Sequence, residues 1–172
     1  LSMQEAIVKF NQDNNYMLSA GIGIHAGDAV VGNVGSKERV NYTILGDTVN
    51  LASRVEGLTK KYGVKILVTE EVMNKVKDGK VLFRKLDRIT VKGKVEPTVL
   101  YEAMRRSEEK EDIVEDYAIA FNLYQKGDFE EALVLFRELA KKGDIPSQVM
   151  YERIADLEKS DAWDGVWHFE EK

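Results

Sequence analysis

Cysteine is absent from the chain. A disulfide framework and a cysteine-based zinc site are therefore both excluded, and the absence is compatible with a reducing compartment. Histidine is scarce as well, because the sequence has only His25 and His168, and these lie too far apart to form a metal-ligand pair. Neither residue type therefore indicates a metal site.

Positive charge is in deficit, with 25 Lys and Arg against 30 Asp and Glu and a formal net charge of -5. Because nucleic-acid binding usually needs a basic face, this balance argues against a nucleic-acid partner. No apolar run approaches the ~20 residues that a membrane-spanning helix needs. Hydrophobic residues still make up 44% of the 172 residues, which is enough for the core of one medium-sized domain or two small ones.

The chain begins at Leu1 and runs directly into a helical pattern over residues 3–14, so we interpret it as a piece of a longer protein. Alternating apolar residues predict a strand over 17–25. The turn at 26–28 predicts that residues 29–34 form the hairpin partner of this strand.

Further strands are predicted at 39–45, 64–69, 81–91 and 98–104. One helix is predicted after Asp47, which can cap it and is explained by that role, with Leu51, Val55 and Leu58 as its buried stripe. A second is predicted at 70–77. This order predicts an α+β fold, a sheet with helices on one face.

A charged run over residues 105–112 predicts a linker, although its last residues also suit the first turn of a helix. We therefore predict one domain over 1–104, a charged linker over 105–112 and a small all-helical region over 113–172. Three helices are expected in that region, separated by Gly127-Asp128 and Gly143-Asp144.

Asn50 and Arg54 are four residues apart and so share one helix face, which is not the face of the apolar stripe. An amide beside a guanidinium suits binding of a sugar oxygen and a phosphate. By spacing alone, a solvated polar face is the better explanation of the pair. His25, beside glycines at a strand end, is better explained by a local hydrogen bond than as a catalytic base.

The segment Gly46-Asp47-Thr48-Val49-Asn50-Leu51-Ala52-Ser53-Arg54 resembles the signature of class III adenylate and guanylate cyclases. Three further segments agree with the family in the same order, at 21–27, 31–36 and 91–94. The resemblance covers residues 3–104 and implies part of the ferredoxin-like cyclase sheet, truncated at its N-terminal side. It implies an enzyme that converts ATP to cyclic AMP and pyrophosphate in intracellular signal transduction.

The resemblance also implies a role for each matching residue. Asn50 would orient the ribose, and Arg54 would stabilise charge on the α-phosphate. Lys92, in the Lys-Gly-Lys turn, would bind the β- and γ-phosphates. Thr43 occupies the purine-reading position, where a hydroxyl can both accept and donate. ATP is favoured over GTP on this basis, although Thr43 is also an ordinary strand residue.

The family holds two Mg²⁺ or Mn²⁺ ions with two aspartates that precede the first helix of this chain, and those segments are absent from the sequence. Asp13 and Asp28 lie in the wrong context to replace them. The family also works as head-to-tail homodimers with sites at the interface. We therefore expect the chain alone to be inactive, and to form a dimer or strand-swapped dimer through unpaired strand edges.

Residues 113–160 resemble a tetratricopeptide-type helix pair with one additional helix, on the pattern of residues 124–136. The region as a whole resembles the C-terminal end of bacterial cyclases with extracytoplasmic sensor domains, which implies the cytoplasmic region of a membrane-anchored bacterial protein. Trp163 and Trp167 are interpreted as a hydrophobic latch onto the body. The rival hypothesis is a regulatory or protein-interaction module that has lost catalysis and acts through this tail.

Overall fold

The computed structural model describes residues 1–36, 39–77, 79–90, 96–157 and 163–168. The elements in chain order are α1 (Ser2–Asn14), β1 (Ile22–Ile24), β2 (Val30–Ser36), β3 (Arg39–Leu45), α2 (Asp47–Tyr62), β4 (Ile66–Thr69), α3 (Glu70–Met73), β5 (Val81–Thr90), β6 (Thr98–Arg105), α4 (Glu108–Lys126), α5 (Phe129–Lys141), α6 (Ile145–Asp156) and β7 (Trp167–His168).

Five strands form the main sheet, in the order β1-β4-β6-β5-β7, while β2 and β3 form a separate two-stranded sheet. The outer strand β1 pairs in parallel with β4, and β7 pairs in parallel with β5. The central pairs, β4 with β6 and β5 with β6, are antiparallel. The predicted α+β fold is confirmed.

The predicted pairing of the first two strands is wrong. Residues 30–36 pair with β3 rather than with the segment that precedes them, and the strand predicted over 17–25 is reduced to Ile22–Ile24. β1 pairs instead in parallel with β4. Before β1, the Asn11 side chain donates to the Leu18 carbonyl at 2.8 Å and accepts from the Leu18 N–H at 3.0 Å. These bonds occupy the backbone groups of Leu18, so this residue stays outside the strand.

A β-bulge in β5 turns a charged residue toward the core. Lys85 pairs with Tyr101 and Asp87 with Leu100, so the ladder skips Leu86. Leu86 and Asp87 are consequently both fully buried. A bulge shifts the in-and-out alternation of a strand by one residue. Here it buries the carboxylate of Asp87, which would point to the other face of a regular strand.

One continuous core joins the sheet to the helices on one of its faces. The predicted stripe of Leu51, Val55 and Leu58 on α2 is buried there. The core residues come from α2, β4, β5, β6 and the tail helices: Leu51, Val55, Leu58, Tyr62, Val64, Leu67, Leu86, Ile89, Leu100, Tyr117, Ala120, Phe121, Tyr124, Ala132, Phe136, Leu139, Met150 and Ile154. The tail therefore packs on the sheet and on α2.

The charged segment at 105–112 is not an extended linker. Arg105 is the last residue of β6, and α4 begins at Glu108 with Ser107 as its N-cap. Acidic residues are favourable in the first turn because they oppose the positive end of the helix dipole. The last residues of the segment form the first turn of a helix, which was the alternative interpretation. The division into two domains stays a prediction.

The three tail helices are followed by an aromatic anchor. The Trp163 indole N–H donates to the Tyr124 carbonyl at 2.9 Å. Its ring lies edge-on to the rings of Tyr124 and Phe129, with centroids 4.9 and 5.4 Å away. Trp167 lies in β7 beside β5. Trp167 thus contacts the body as the latch prediction requires, whereas Trp163 packs on α4 and α5 of the tail itself. No helix within the described ranges is both long and apolar enough to cross a bilayer.

Candidate functional site

The first turn of α2 carries the predicted site. Gly46, with φ 147°, is the N-cap, and its carbonyl accepts from the N–H groups of Val49 and Asn50 at 3.2 and 3.4 Å. Asp47 is the first helical residue, one position after the N-cap. The prediction that Asp47 caps the helix is therefore wrong. Its carboxylate still lies in the first turn, where the helix dipole favours an acid.

Asn50 and Arg54 both lie on the exposed side of α2. Leu51 and Val55, their immediate neighbours in sequence, are 2% and 0% exposed. The separation of a polar face from the buried stripe, predicted from spacing, is confirmed. The amide and the guanidinium are thus offered to the surface by a helix whose opposite face is fixed in the core.

Thr43 lies on β3, three residues before Gly46, and its side chain is half-buried. It is opposite Gly32 in the β2–β3 register. A Cβ added at Gly32 would meet no atom within 4 Å. The surface beside Thr43 is therefore open, and Thr43 and Asn50 lie on either side of the strand-to-helix turn.

The loop between β1 and β2 holds the start of α2 in place. The Thr48 hydroxyl donates to the Asp28 carbonyl at 2.6 Å. A Cβ at Gly27 would lie 2.7 Å from that hydroxyl oxygen, so the close approach requires glycine. The sequence showed Thr48 only as part of the signature, and its anchoring role depends on a loop 20 residues away.

His25 is fixed by local contacts, as predicted. Its Nδ1 lies 2.8 Å from the Thr69 hydroxyl oxygen and 3.5 Å from a carboxylate oxygen of Glu71. The imidazole side chain is only 8% exposed. These contacts join the end of β1 to the end of β4 and the start of α3.

Lys92 lies outside the described residues, which resume at Glu96 after β5 ends at Thr90. Its predicted role stays a prediction. Within the part of the chain that the structure describes, no group of three or more His, Asp or Glu side chains could hold a metal ion. The described residues therefore do not fit a divalent metal centre.

Two buried ionic clusters were not predicted from the sequence. Arg84 binds Glu102 and, at 2.7 Å, Asp144. Arg153 binds Asp87 at 2.5 Å. Each links the sheet to the tail. Charged residues in a sequence are usually assigned to the surface, and no local signal marks these as partners.

The comparisons with known proteins concern the same part of the chain. Residues 1–104 match the family model described as the adenylate and guanylate cyclase catalytic domain. An adenylate cyclase of Anabaena cylindrica is 43% identical over 110 residues, which cover 58% of this chain and 22% of that protein. Adenylate cyclase 1 of Rhizobium meliloti is 49% identical over 82 residues, or 48% of this chain and 12% of that protein.

The chain thus spans less than a quarter of the length of these two relatives. Among solved structures, the adenylyl cyclase CyaB from P. aeruginosa superposes with a TM-score of 0.51 at 28% identity, covering 62% of this chain and 56% of that one. The guanylyl cyclase Cya2 gives 0.50 at 29% identity, covering 62% and 55%. The α+β sheet with its helices agrees with the fold of these neighbours.

Proposed function

Because the chain belongs to the adenylate and guanylate cyclase catalytic domain family, we propose that it supplies one half of an adenylate cyclase site. This half-site, formed by Thr43, Asn50, Arg54 and Lys92, would bind the purine, ribose and phosphates of ATP. The product would be cyclic AMP, with pyrophosphate released, in intracellular signal transduction. The observation that carries the proposal is the exposed Asn50–Arg54 pair on a helix anchored in the core.

In this proposal α2 does the positioning. The ribose 3′-oxygen attacks the α-phosphorus in line, a reaction whose catalysis rests mainly on orientation and charge stabilisation. The Asn50 amide orients the ribose. The Arg54 guanidinium, one turn later, stabilises the negative charge that develops on the α-phosphate. The buried stripe beneath them prevents the helix from turning away.

The remaining two residues bind the ends of the nucleotide. Thr43 offers its hydroxyl to the purine from β3, and the glycine opposite it in the register leaves room for a base. Lys92 binds the β- and γ-phosphates as a flexible point charge. The adenylate cyclase names of the relatives favour ATP, whereas one superposed structure is a guanylyl cyclase.

The other half of the site, with the aspartates for Mg²⁺ or Mn²⁺, would come from a second protomer. The described residues of this chain do not fit those metals. We propose a head-to-tail homodimer for the intact enzyme and no cyclase activity for this chain alone. We further propose that the helical tail is tetratricopeptide-like and that the chain is the cytoplasmic region of a membrane-anchored bacterial protein.

The test is complementation. The chain is mixed with a cyclase protomer that keeps its metal-binding aspartates but has its own signature Asn and Arg substituted. We expect no cyclic AMP from either protein alone with ATP and Mn²⁺, and activity from the mixture. Measurable cyclic AMP from the pure chain would contradict its proposed inactivity.

Variants then assign the activity to α2. Asn50→Ala and Arg54→Ala should each lower kcat on the order of a hundredfold or more, since each removes a preorganised contact to the reacting groups. Lys60→Ala is the matched control, because Lys60 is also exposed on α2 but lies beyond the signature. It should leave activity unchanged.

A regulatory module that has lost catalysis is the alternative. Such a module would keep the fold and act through the tail. The packing of the tail on α2 and β5 supports this alternative, because it connects the tail to the rest of the fold. A mixture that forms a stable complex by light scattering but makes no cyclic AMP would favour this alternative.

A further inference from the structure

The tail reaches α2 and β5 through a buried cluster of Tyr62, Asp87 and Arg153. One Nη of Arg153 lies 2.5 Å from the Asp87 carboxylate, and the other donates to the Tyr62 hydroxyl at 3.1 Å. That hydroxyl in turn donates to the same carboxylate. The cluster therefore joins α6 to α2 and β5 at once.

The side chains of the cluster are nearly fully buried and hydrogen-bonded to one another. Asp87 and Tyr62 are 0% exposed, and the Arg153 side chain is 7% exposed. Asp87 also accepts from the Arg88 N–H at 2.8 Å. Burial alone would lower the pKa of Arg153, but the Asp87 carboxylate raises that pKa well above its ordinary value. The guanidinium is thus a fixed cation between a carboxylate and a phenol.

A second contact lies beside the first. β7 pairs in parallel with the end of β5, with Trp167 opposite Ile89 and His168 opposite Thr90. The Trp167 ring centroid is 4.5 Å from the Arg153 guanidinium. The tail therefore contacts the end of β5 in two ways: Arg153 binds Asp87, and β7 pairs with its edge.

One of the two elements carries proposed site residues. α2 begins at Asp47, presents Asn50 and Arg54 in its first half and ends at Tyr62, which belongs to the cluster. The cluster therefore fixes the end of α2 against β5, and with it the placement of the ribose- and α-phosphate-binding groups on the sheet.

We propose that Arg153 is a positioning residue, which fixes α2 against β5 and thereby sets the geometry of the nucleotide half-site. The inference rests on the proposed function and deepens it, since it makes the tail part of the catalytic machinery. It concerns a residue outside the part of the chain that matches the cyclase family model, residues 1–104.

The chemistry of the cluster favours positioning over bulk stability. A buried ion pair is often no more stable than apolar side chains of the same volume, because both ions lose their hydration. A guanidinium shared by a carboxylate and a hydroxyl is directional, however, and permits only one arrangement of the three elements. Apolar packing is not directional in this way.

The experiment uses the full chain in the complementation assay, with Arg153→Met, Arg153→Lys and Arg84→Met. Arg84→Met is the matched control, because Arg84 is an equally buried arginine that joins the tail to β5 and β6 without hydrogen bonding to α2. Arg153→Met should lower kcat on the order of ten- to a hundredfold, as expected for a small displacement of reacting groups. KM for ATP should change little.

The Arg153→Lys variant shows how much of the effect comes from losing the positive charge and how much from losing the guanidinium geometry. Arg153→Lys keeps the cation beside Asp87, so it should recover part of kcat. Arg84→Met should lower the denaturation midpoint and leave kcat of the folded protein unchanged. Equal losses of kcat in Arg84→Met and Arg153→Met would overturn the proposal, since the effect would then follow stability alone. An unchanged kcat in Arg153→Met would overturn it too.

Amide hydrogen exchange gives a readout that does not need activity. Arg153→Met should accelerate exchange at residues 59–62 of α2, and Arg84→Met should not. If the wild-type mixture is inactive, the proposed half-site is wrong, and the exchange result alone then decides whether Arg153 holds α2 on β5. Equal exchange at 59–62 in wild type and Arg153→Met would refute the proposal that Arg153 fixes α2 against β5.

Discussion

The backbone of Gly23 on β1 lies against the backbone of Glu56 on α2 so closely that no side chain fits between them. A Cβ added at Gly23 would stand 2.1 Å from the Glu56 nitrogen and 2.6 Å from the Ala52 carbonyl oxygen. These atoms flank Arg54 on the helix. Gly23 therefore allows the close approach of α2, which carries the candidate site, to β1.

Gly23→Ala should consequently displace α2. Since backbone atoms cannot yield as a flexible side chain does, we expect a loss of about 1–3 kcal/mol in the free energy of unfolding, or more. Urea denaturation followed by circular dichroism measures it.

The control is Gly57→Ala on the same helix, where an added Cβ would meet nothing within 4 Å. Alanine is preferred to glycine in a helix interior, so this variant should gain about 0.5–1 kcal/mol. A Gly23→Ala protein as stable as wild type would contradict the close approach.

Asp144 has two functions at the α5–α6 turn, and its removal should be costly. Its carboxylate caps α6 by accepting from the Ser147 N–H at 3.1 Å, and it also binds Arg84 at 2.7 Å. Asp144→Ala removes the cap and one partner of a buried cation. We expect a loss of about 3–5 kcal/mol, measured by urea denaturation.

Asp128 provides the comparison, because it occupies the N-cap position of α5, is exposed and makes no side-chain cap bond. Asp128→Ala should change the stability by less than about 1 kcal/mol. Similar losses at both positions would show that the buried Arg84 contact contributes little.

Alkaline pH should destabilise the fold through its buried tyrosines. Burial raises the pKa of Tyr124 to about 12, whereas an unfolded tyrosine titrates near 10. Burial also raises the pKa values of Tyr62 and Tyr117 well above the ordinary value.

Above pH ~10 the unfolded chain therefore releases phenolic protons that the folded chain retains. The stability contributed by Tyr124 is complete below that pH and is lost as pH rises from about 10 to about 12. The urea midpoint should fall over this range, and less steeply in Tyr124→Phe. A midpoint independent of pH there would contradict the burial of these hydroxyls.

An exposed apolar surface should make the chain associate. Tyr42, Val30 and Met17 are 77%, 71% and 97% exposed, and β1 is the outermost strand on its side of the main sheet. Apolar side chains and an outer strand together favour association with another chain. We expect a dimer by light scattering, in which Val30→Lys with Tyr42→Lys lowers the apparent mass. A monomer at high concentration would contradict it.

Local periodicity was sufficient for much of the structure. The polar face of α2, with Asn50 and Arg54 exposed and Leu51 buried, follows from helical geometry acting on neighbouring residues. The three tail helices follow in the same way, with glycines ending the first two. The motifs likewise identified the family, because the order of four short segments is a property of the sequence itself.

Tertiary contacts decided what periodicity left undetermined. Alternation predicted the strand over 29–34, but the turn assigned it the wrong partner, because β1 pairs with β4 and leaves β2 to pair with β3. The burial of Asp87 depends on a bulge and on Arg153, 66 residues away in the chain. A charge is buried only where the fold supplies its counter-ion, so no local pattern marks such a pair. The contact of the tail with α2 and β5 likewise exists only in the folded chain.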